Sequence, residues 1–236
     1  DSAELRHQVI VAASRDSQNG APGAPHAIVG TVRITAPVIL GQTLLIKPVA
    51  ELIAAYPRIQ VEVIVEDRVL DVTAERIDIA IRGGAVDLKG AKAKRLGYTY
   101  FRLFASPSYL DKNPKITHPS QLKSHRCLQY SPGNDPYPWN LVNDRDSRDR
   151  CRIKMKDPLR INHLGMIKEL CKAGTGVALI PTLLVDDELL SGELMPVLKD
   201  WGAERAGYSL VVPHSHVLSE AVRVSARFLM DRLAPA

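Results

Sequence analysis

The sequence predicts an α/β protein made of two lobes joined by two crossing segments. Three observations carry this. Between residues 30 and 84, short β-branched runs alternate with helical periodicity in the order β-α-β-α-β, the pattern of strands joined by crossover helices. Between residues 127 and 180, strand-like runs again flank a helical one. Two apolar extended stretches, residues 101–105 and 206–210, sit where the chain must pass from one set to the other and back.

Taken in order, Leu5, Val9 and Ala12 form a helical pattern too short to stand alone. It reads equally as the end of a longer helix or as a frayed leader. Residues 18–26, QNGAPGAPH, are the clearest linker in the chain. In the first strand Val32, Ile34 and Ala36 alternate with Arg33 and Thr35. Residues 37–43 are expected to turn. Leu44, Leu45, Val49, Leu52 and Ile53 then trace one helix face, with Pro48 expected near its first turn. Tyr56-Pro57 ends that helix, because the residue before proline is driven out of helical backbone. Residues 59–65 are expected to be a buried parallel strand, residues 69–76 a second helix and residues 77–81 a third strand.

Extended segments follow at 91–97 and 99–105. Ser106 is placed to cap a short helix with Pro107 at its first position. Residues 127–130 are a short strand, and 131–150 a polar loop or hairpin in which Trp139 anchors packing. Asn162 is expected to cap a helix over 163–172 that turns Leu164, Ile167, Leu170 and Cys171 inward. Gly174-Thr-Gly176 turns the chain into a strand at 177–180, followed by a helix at 183–190 and a strand at 207–212. Val222, Ala226, Leu229 and Leu233 define a last helix over 218–233. The expected organisation is a linker at 1–29, a first lobe of 30–102 plus 209–236, and a second lobe of 103–208.

An apolar share of 45% and a charged share of 24% are those of an ordinary globular protein. No window approaches the ~18 consecutive apolar residues of a membrane span, and no signal sequence is visible, so no membrane partner is expected. The net charge of +5 favours anionic partners in general. Its basic residues are scattered, and where they cluster, as in Arg145-Asp-Ser-Arg-Asp-Arg150, acids alternate with them. That stretch is a solvated loop, not a nucleic-acid groove. Cys127, Cys151 and Cys171 are an odd number with no C-x-x-C pair, which points to reduced thiols in a cytoplasm and to no structural zinc. A redox-sensing thiol is the second reading of these cysteines.

Catalytic motifs are not found: there is no G-x-S-x-G elbow, no H-E-x-x-H and no phosphate loop. Gly174-Thr-Gly176 has the first glycines of a dinucleotide fingerprint, but it follows a helix and precedes a strand, the reverse of the required context. His214 and His216 have no third ligand near them, so neither a metal nor a cofactor is expected. Binding is better supported. Loops after strand ends meet helix starts, where free N–H groups favour an anion. These loops carry Ala36, Pro37 and Val38; Asp67 and Arg68; Arg82 and Gly83; Gln129 and Tyr130; and Asn162 and His163. Arg82, Arg68 and His163 are the polar groups best suited to an acidic ligand. The alternative for Arg82 is a pairing with Asp78 or Asp87, and for Asn162 a cap alone.

The run GTVRITAP at 30–37, the spacing of Gly41, Leu45 and Pro48, AAYP at 54–57, Glu66-Asp67 after an apolar strand, and DIAIRGG at 78–84 together resemble the effector-binding domain of LysR-type transcriptional regulators. FASPSYL, HPSQLKSHRCLQYS and KAGTGVALIPTLLVDDELLSGELMPVL continue the resemblance downstream in order. It implies two Rossmann-like lobes like those of type 2 periplasmic binding proteins, with a small-molecule effector in the cleft that the five loops line. It also implies a homodimer or homotetramer, built when a helix and strand edge of one first lobe meet the second lobe of a neighbour. DNA would be contacted through an N-terminal winged helix-turn-helix that the given sequence does not contain. Many relatives place a Ser or Thr at the first helix start; here the loop is Ala-Pro-Val-Ile-Leu, with Thr35 and Thr43 the nearest hydroxyls. That departure suggests a ligand with a more apolar end. A solute-binding protein serving a transporter is the alternative reading on the same fold, and an enzyme the third.

Overall fold

The computed structural model describes residues 28–68, 74–84, 91–132, 138–155, 158–213 and 218–233. In chain order its first elements are β1 (Gly30–Ala36), α1 (Val38–Ala55), β2 (Ile59–Val65), β3 (Ile79–Gly83), β4 (Ala91–Thr99), β5 (Phe101–Ala105) and α2 (Pro107–Leu110). Then come β6 (Cys127–Tyr130), β7 (Trp139–Asn143), β8 (Arg150–Ile153), β9 (Leu159–Ile161), α3 (Leu164–Lys172) and β10 (Val177–Pro181). The last are α4 (Asp186–Ser191), β11 (Met195–Ala203), β12 (Ala206–Pro213) and α5 (Glu220–Leu233).

Two sheets result, one ordered β2-β1-β3-β12-β4 and the other β8-β7-β11-β5-β10-β6-β9. In the first, β1 runs parallel to β2 and β3, while β12 returns antiparallel between β3 and β4. The chain leaves this sheet at Tyr100 and comes back through Glu204 and Arg205. The α/β class and the double crossing thus agree with the sequence pattern. The expected helix over 69–76 falls largely outside the described residues, as do His214 and His216.

Four expectations are corrected. Residues 38–43 are helical, so α1 starts at once after Pro37 and Pro48 lies in its middle. Proline has no N–H to give and its ring presses on the carbonyl four residues back. That carbonyl, on Leu44, lies in a π-helical turn, Gly41–Leu45, where the wider coil makes room. Second, α1 has 18 residues and a mean hydropathy of 1.6, enough by length and composition to cross a membrane, although no such window was expected. Its Leu40 and Leu45 instead join the core with Val32, Ile34, Leu229 and Val222. Third, β2 is an edge strand rather than a buried one, with Val63 and Val65 exposed. An edge strand has a neighbour on one side only, so its apolar run need not mean full burial. Fourth, the expected helix at 183–190 is broken at buried Val185 into a 3₁₀ turn, Thr182–Leu184, and α4.

Residues 139–153, overlapping the expected polar stretch, form a hairpin: β7 pairs antiparallel with β8, and Trp139 is buried at its base as expected. Strand β11 escaped the sequence pattern. A register break between Val197 and Gly202, with Leu198 at φ 51°, interrupts its alternation.

Candidate functional site

The parallel strands β2, β1 and β3 all end on one edge of the first sheet. This gathers Ala36, Pro37 and Val38, then Asp67 and Arg68, then Arg82 and Gly83, as the sequence grouped them. Glu66 N–H donates to Ala36 O (3.0 Å), closing the β1 and β2 ends together. Helix α1 begins here with no side-chain cap of its own. The Val38 N–H donates instead to Asp67 Oδ1 at 3.0 Å. A carboxylate from the neighbouring loop therefore already sits where the helix dipole favours an anion. Sequence reasoning grouped Asp67 with the site but missed this role.

Arg68 is engaged by Glu66 and by Glu75 (3.1 Å), and hydrogen bonding with Glu66 chiefly raises its affinity for its proton. Arg82 differs. It forms no ion pair with Asp78, whose Oδ2 accepts from the Arg33 N–H (2.9 Å); Asp87 lies outside the described residues. Its Nη2 is buried with no hydrogen-bond partner among the described residues. Burial lowers the pKa of this guanidinium, with the charge of Glu66 opposing. Thr35 Oγ1 is likewise buried without a partner. Thr35 lies opposite Ala80 and Arg82 is two residues further along, so both project from one face of the sheet. Two unsatisfied polar atoms on one face of a sheet are costly unless something polar meets them.

In the second sheet β6 and β9 run parallel and bring Gln129, Tyr130, Asn162 and His163 to one end. The Ser131 N–H donates to Ile161 O (2.8 Å) and holds the two ends together. The helix cap is His163, not Asn162 as expected: His163 Nδ1 accepts from the Met166 N–H at 3.0 Å. Both side chains are exposed. Ile39 ties the first half to the second. Ile39, in the first turn of α1, is buried in the same apolar cluster as Phe104, Leu128, Ile161 and Leu164 of the second sheet's layer. Nothing in the sequence marked Ile39, since any apolar residue there fits the helix pattern.

No group of three or more metal-binding side chains occurs among the described residues. Burial pushes the thiols of Cys127 and Cys171 up to about 12, and Cys151 is also raised. Thiolate, the reactive form, is therefore scarce at Cys127 and Cys171. A groove of about 670 Å³ between α1 and α5, lined by Lys47, Glu51, Phe228 and Arg232, lies on residues of the C-terminal half of α1, away from these loops.

Two α/β sheets, joined twice, with the start of α1 packed through Ile39 into the cluster that holds Ile161 and Leu164, form a two-lobed fold of the kind that binds ligands between lobes. The chain belongs to the LysR substrate binding domain family, whose pattern matches residues 26–234. It is 29% identical over 211 residues to an HTH-type transcriptional regulator of Xanthomonas campestris, covering 86% of this chain and 60% of that protein. It is 26% identical over 204 residues to the HTH-type transcriptional regulator PtxR of Pseudomonas aeruginosa, covering 86% and 64%. The chain thus spans less than two thirds of the length of these relatives. In fold it resembles the regulatory domain of AphB from Vibrio vulnificus (TM-score 0.74, 24% identity, 86% of this chain and 98% of that one). The regulatory domain of CrgA from Neisseria meningitidis is similar too (TM-score 0.74, 22% identity, 88% and 100%).

Proposed function

We propose that this chain is the effector-sensing part of a LysR-type transcriptional regulator. It takes a small molecule with one anionic group and an apolar body between a lobe of residues 30–102 plus 209–236 and a lobe of residues 103–208. The observation that carries this reading is the buried, unpartnered Nη2 of Arg82, with the unpartnered hydroxyl of Thr35 on the same face of the sheet. A carboxylate or similar acceptor meets both needs, and charge-assisted hydrogen bonds to a guanidinium are strong. Asp67 already occupies the start of α1, so the ligand's anionic group goes to Arg82, while Ile39 and Pro37 offer apolar contact. Gly83, Gln129, Tyr130, Asn162 and His163 complete the rim.

Binding acts by population shift: an effector changes the balance of lobe arrangements only by its differential affinity for them. The response passes to a winged helix-turn-helix in the whole protein, which works in the cytoplasm as a homodimer or homotetramer on DNA and performs no catalysis. The relatives are transcriptional regulators, which favours this over a transporter-linked solute-binding protein.

A thermal-shift screen of the 236-residue chain against aromatic and aliphatic acids, amino acids and sugars is the test. At about 100 times its dissociation constant a ligand adds roughly 2.7 kcal/mol, several degrees for a chain this size. The expected hit is an acid, and its shift disappears in Arg82→Ala. A hit that survives this substitution undermines the site.

A further inference from the structure

The second sheet carries a cavity whose cationic side chains the effector reading does not use. It has a volume of about 560 Å³ and opens where β6 and β9 face the end of the β7–β8 hairpin. Its chemistry follows from strand alternation. On β6, Leu128 turns to the α3 side, while Cys127 and Gln129 turn to the layer of Trp139, Ile153 and Met155. On β8, Ile153 points into that layer and Arg152 out of it; on β9, Ile161 is buried and Arg160 exposed. Gln129 and Arg160 are register partners. The cavity is thus walled by Met155 and Pro158 and lined by Gln129, Arg152, Lys154 and Arg160, with no carboxylate among the described residues that line it.

The same hairpin handles its other cations differently. Arg145 pairs with Asp200 (3.0 Å), Arg148 with Asp146 (3.1 Å), and Arg150 with Glu204. Arg102 reaches across to Asp144 at 2.9 Å. Arg152, Lys154 and Arg160 have no ion pair with any described residue. Three like charges around one cavity repel, and a bound anion removes that repulsion. A single carboxylate balances one of them; a phosphoryl group carries close to two charges and offers three acceptor oxygens, which two guanidiniums grip bidentately.

We propose that this cavity is a binding site for a small phosphoryl-bearing anion, separate from the Arg82 site. Gln129, 5% exposed, forms the floor, and the two guanidiniums and Lys154 supply the charge. The cavity lies within the size range of small-molecule sites. It shares Gln129 with the rim of the proposed effector site but involves neither Arg82 nor α1, so Arg82→Ala separates the two readings.

Inorganic pyrophosphate is the probe, titrated into the 236-residue chain with sodium chloride of matched ionic strength as reference. At a hundred times the dissociation constant, the expected upward shift of Tm is roughly 5 °C or more. Arg152→Gln/Arg160→Gln is expected to weaken binding at least about tenfold. Arg152→Lys/Arg160→Lys keeps the charge but loses the fork, and is expected to weaken it less. Arg82→Ala is expected to leave the pyrophosphate shift intact. No shift beyond matched chloride overturns the proposal. So does an equal loss in Lys112→Gln/Lys115→Gln, which would reveal a response to overall charge, or a shift that survives the double glutamine variant.

Discussion

At the scale of single residues, neighbours in sequence divide their labour in ways only a folded backbone decides. Asn162 and His163 both have side chains able to accept a hydrogen bond at a helix start, and Asn is the commoner cap. The strand β9 ends one residue before Asn162, so the geometry hands the cap to His163. His163→Ala is expected to cost about 1 kcal/mol, seen as a fall in Tm, while Asn162→Ala changes it by less than about 0.5 kcal/mol. Equal losses would contradict the assignment. His125 gives a pH dependence. It is buried against the Tyr109 hydroxyl (3.2 Å), and burial lowers its pKa below the ordinary 6.5. The unfolded chain then binds the proton first, so stability is full above about pH 6.5 and falls as the pH drops below it. Melting the chain between pH 7.5 and 5.5 is expected to show this decline, and His125→Gln is expected to flatten it. The site shows the same mixture of legible and hidden. Arg82 was visible from its position after a strand, but its lack of a carboxylate partner depends on where Asp78 and Glu66 point, which spacing does not encode.

At the scale of elements, α1 carries the main departure from sequence periodicity. Gly41 and Pro48 look like turn signals, and each has a tertiary reason inside a helix. At Gly41 an added Cβ would lie 2.9 Å from Val65 Cγ1, so the glycine lets α1 approach β2. Valine is stiff about χ1 and cannot swing away. Gly41→Ala is expected to destabilise the chain by about 1–3 kcal/mol through overpacking, despite alanine's better helix propensity; urea midpoints measure it. An unchanged or raised midpoint would mean that α1 and β2 can separate freely. β2 itself shows why composition misleads. Ile59, Val63 and Val65 share the face that meets α1, yet only Ile59 is buried, because the edge position leaves Val63 and Val65 about 40% exposed.

At the scale of the whole molecule, the chain exposes apolar groups that a single copy leaves uncovered. Ile46 is 67% and Ile53 48% exposed on α1, beside the edge strand β2; Met166 on α3 and Leu190 on α4, 87% exposed, belong to the other sheet's layer. Singly such residues are ordinary, but two faces on opposite lobes suit a two-fold pairing in which each meets the other's counterpart. On the proposed homodimer, Ile46→Glu combined with Val63→Glu is expected to shift sedimentation toward monomer without lowering Tm. A distribution identical to the parent chain would remove this face from the assembly.

The sequence by itself determined the α/β class, the two crossings, most strand positions and the five loops at which polar groups gather. These follow from local rules: period-2 and period-3.6 burial, glycine and proline backbone limits, and the dipoles of helix ends. Tertiary structure alone decided that Asp67 would cap α1, that Ile39 would join the second lobe's core, that β2 would stand at an edge, and that Arg152, Lys154 and Arg160 would line one cavity. Each of these is a meeting between residues far apart in the chain. Such meetings depend on sheet order and register, and a single sequence states neither.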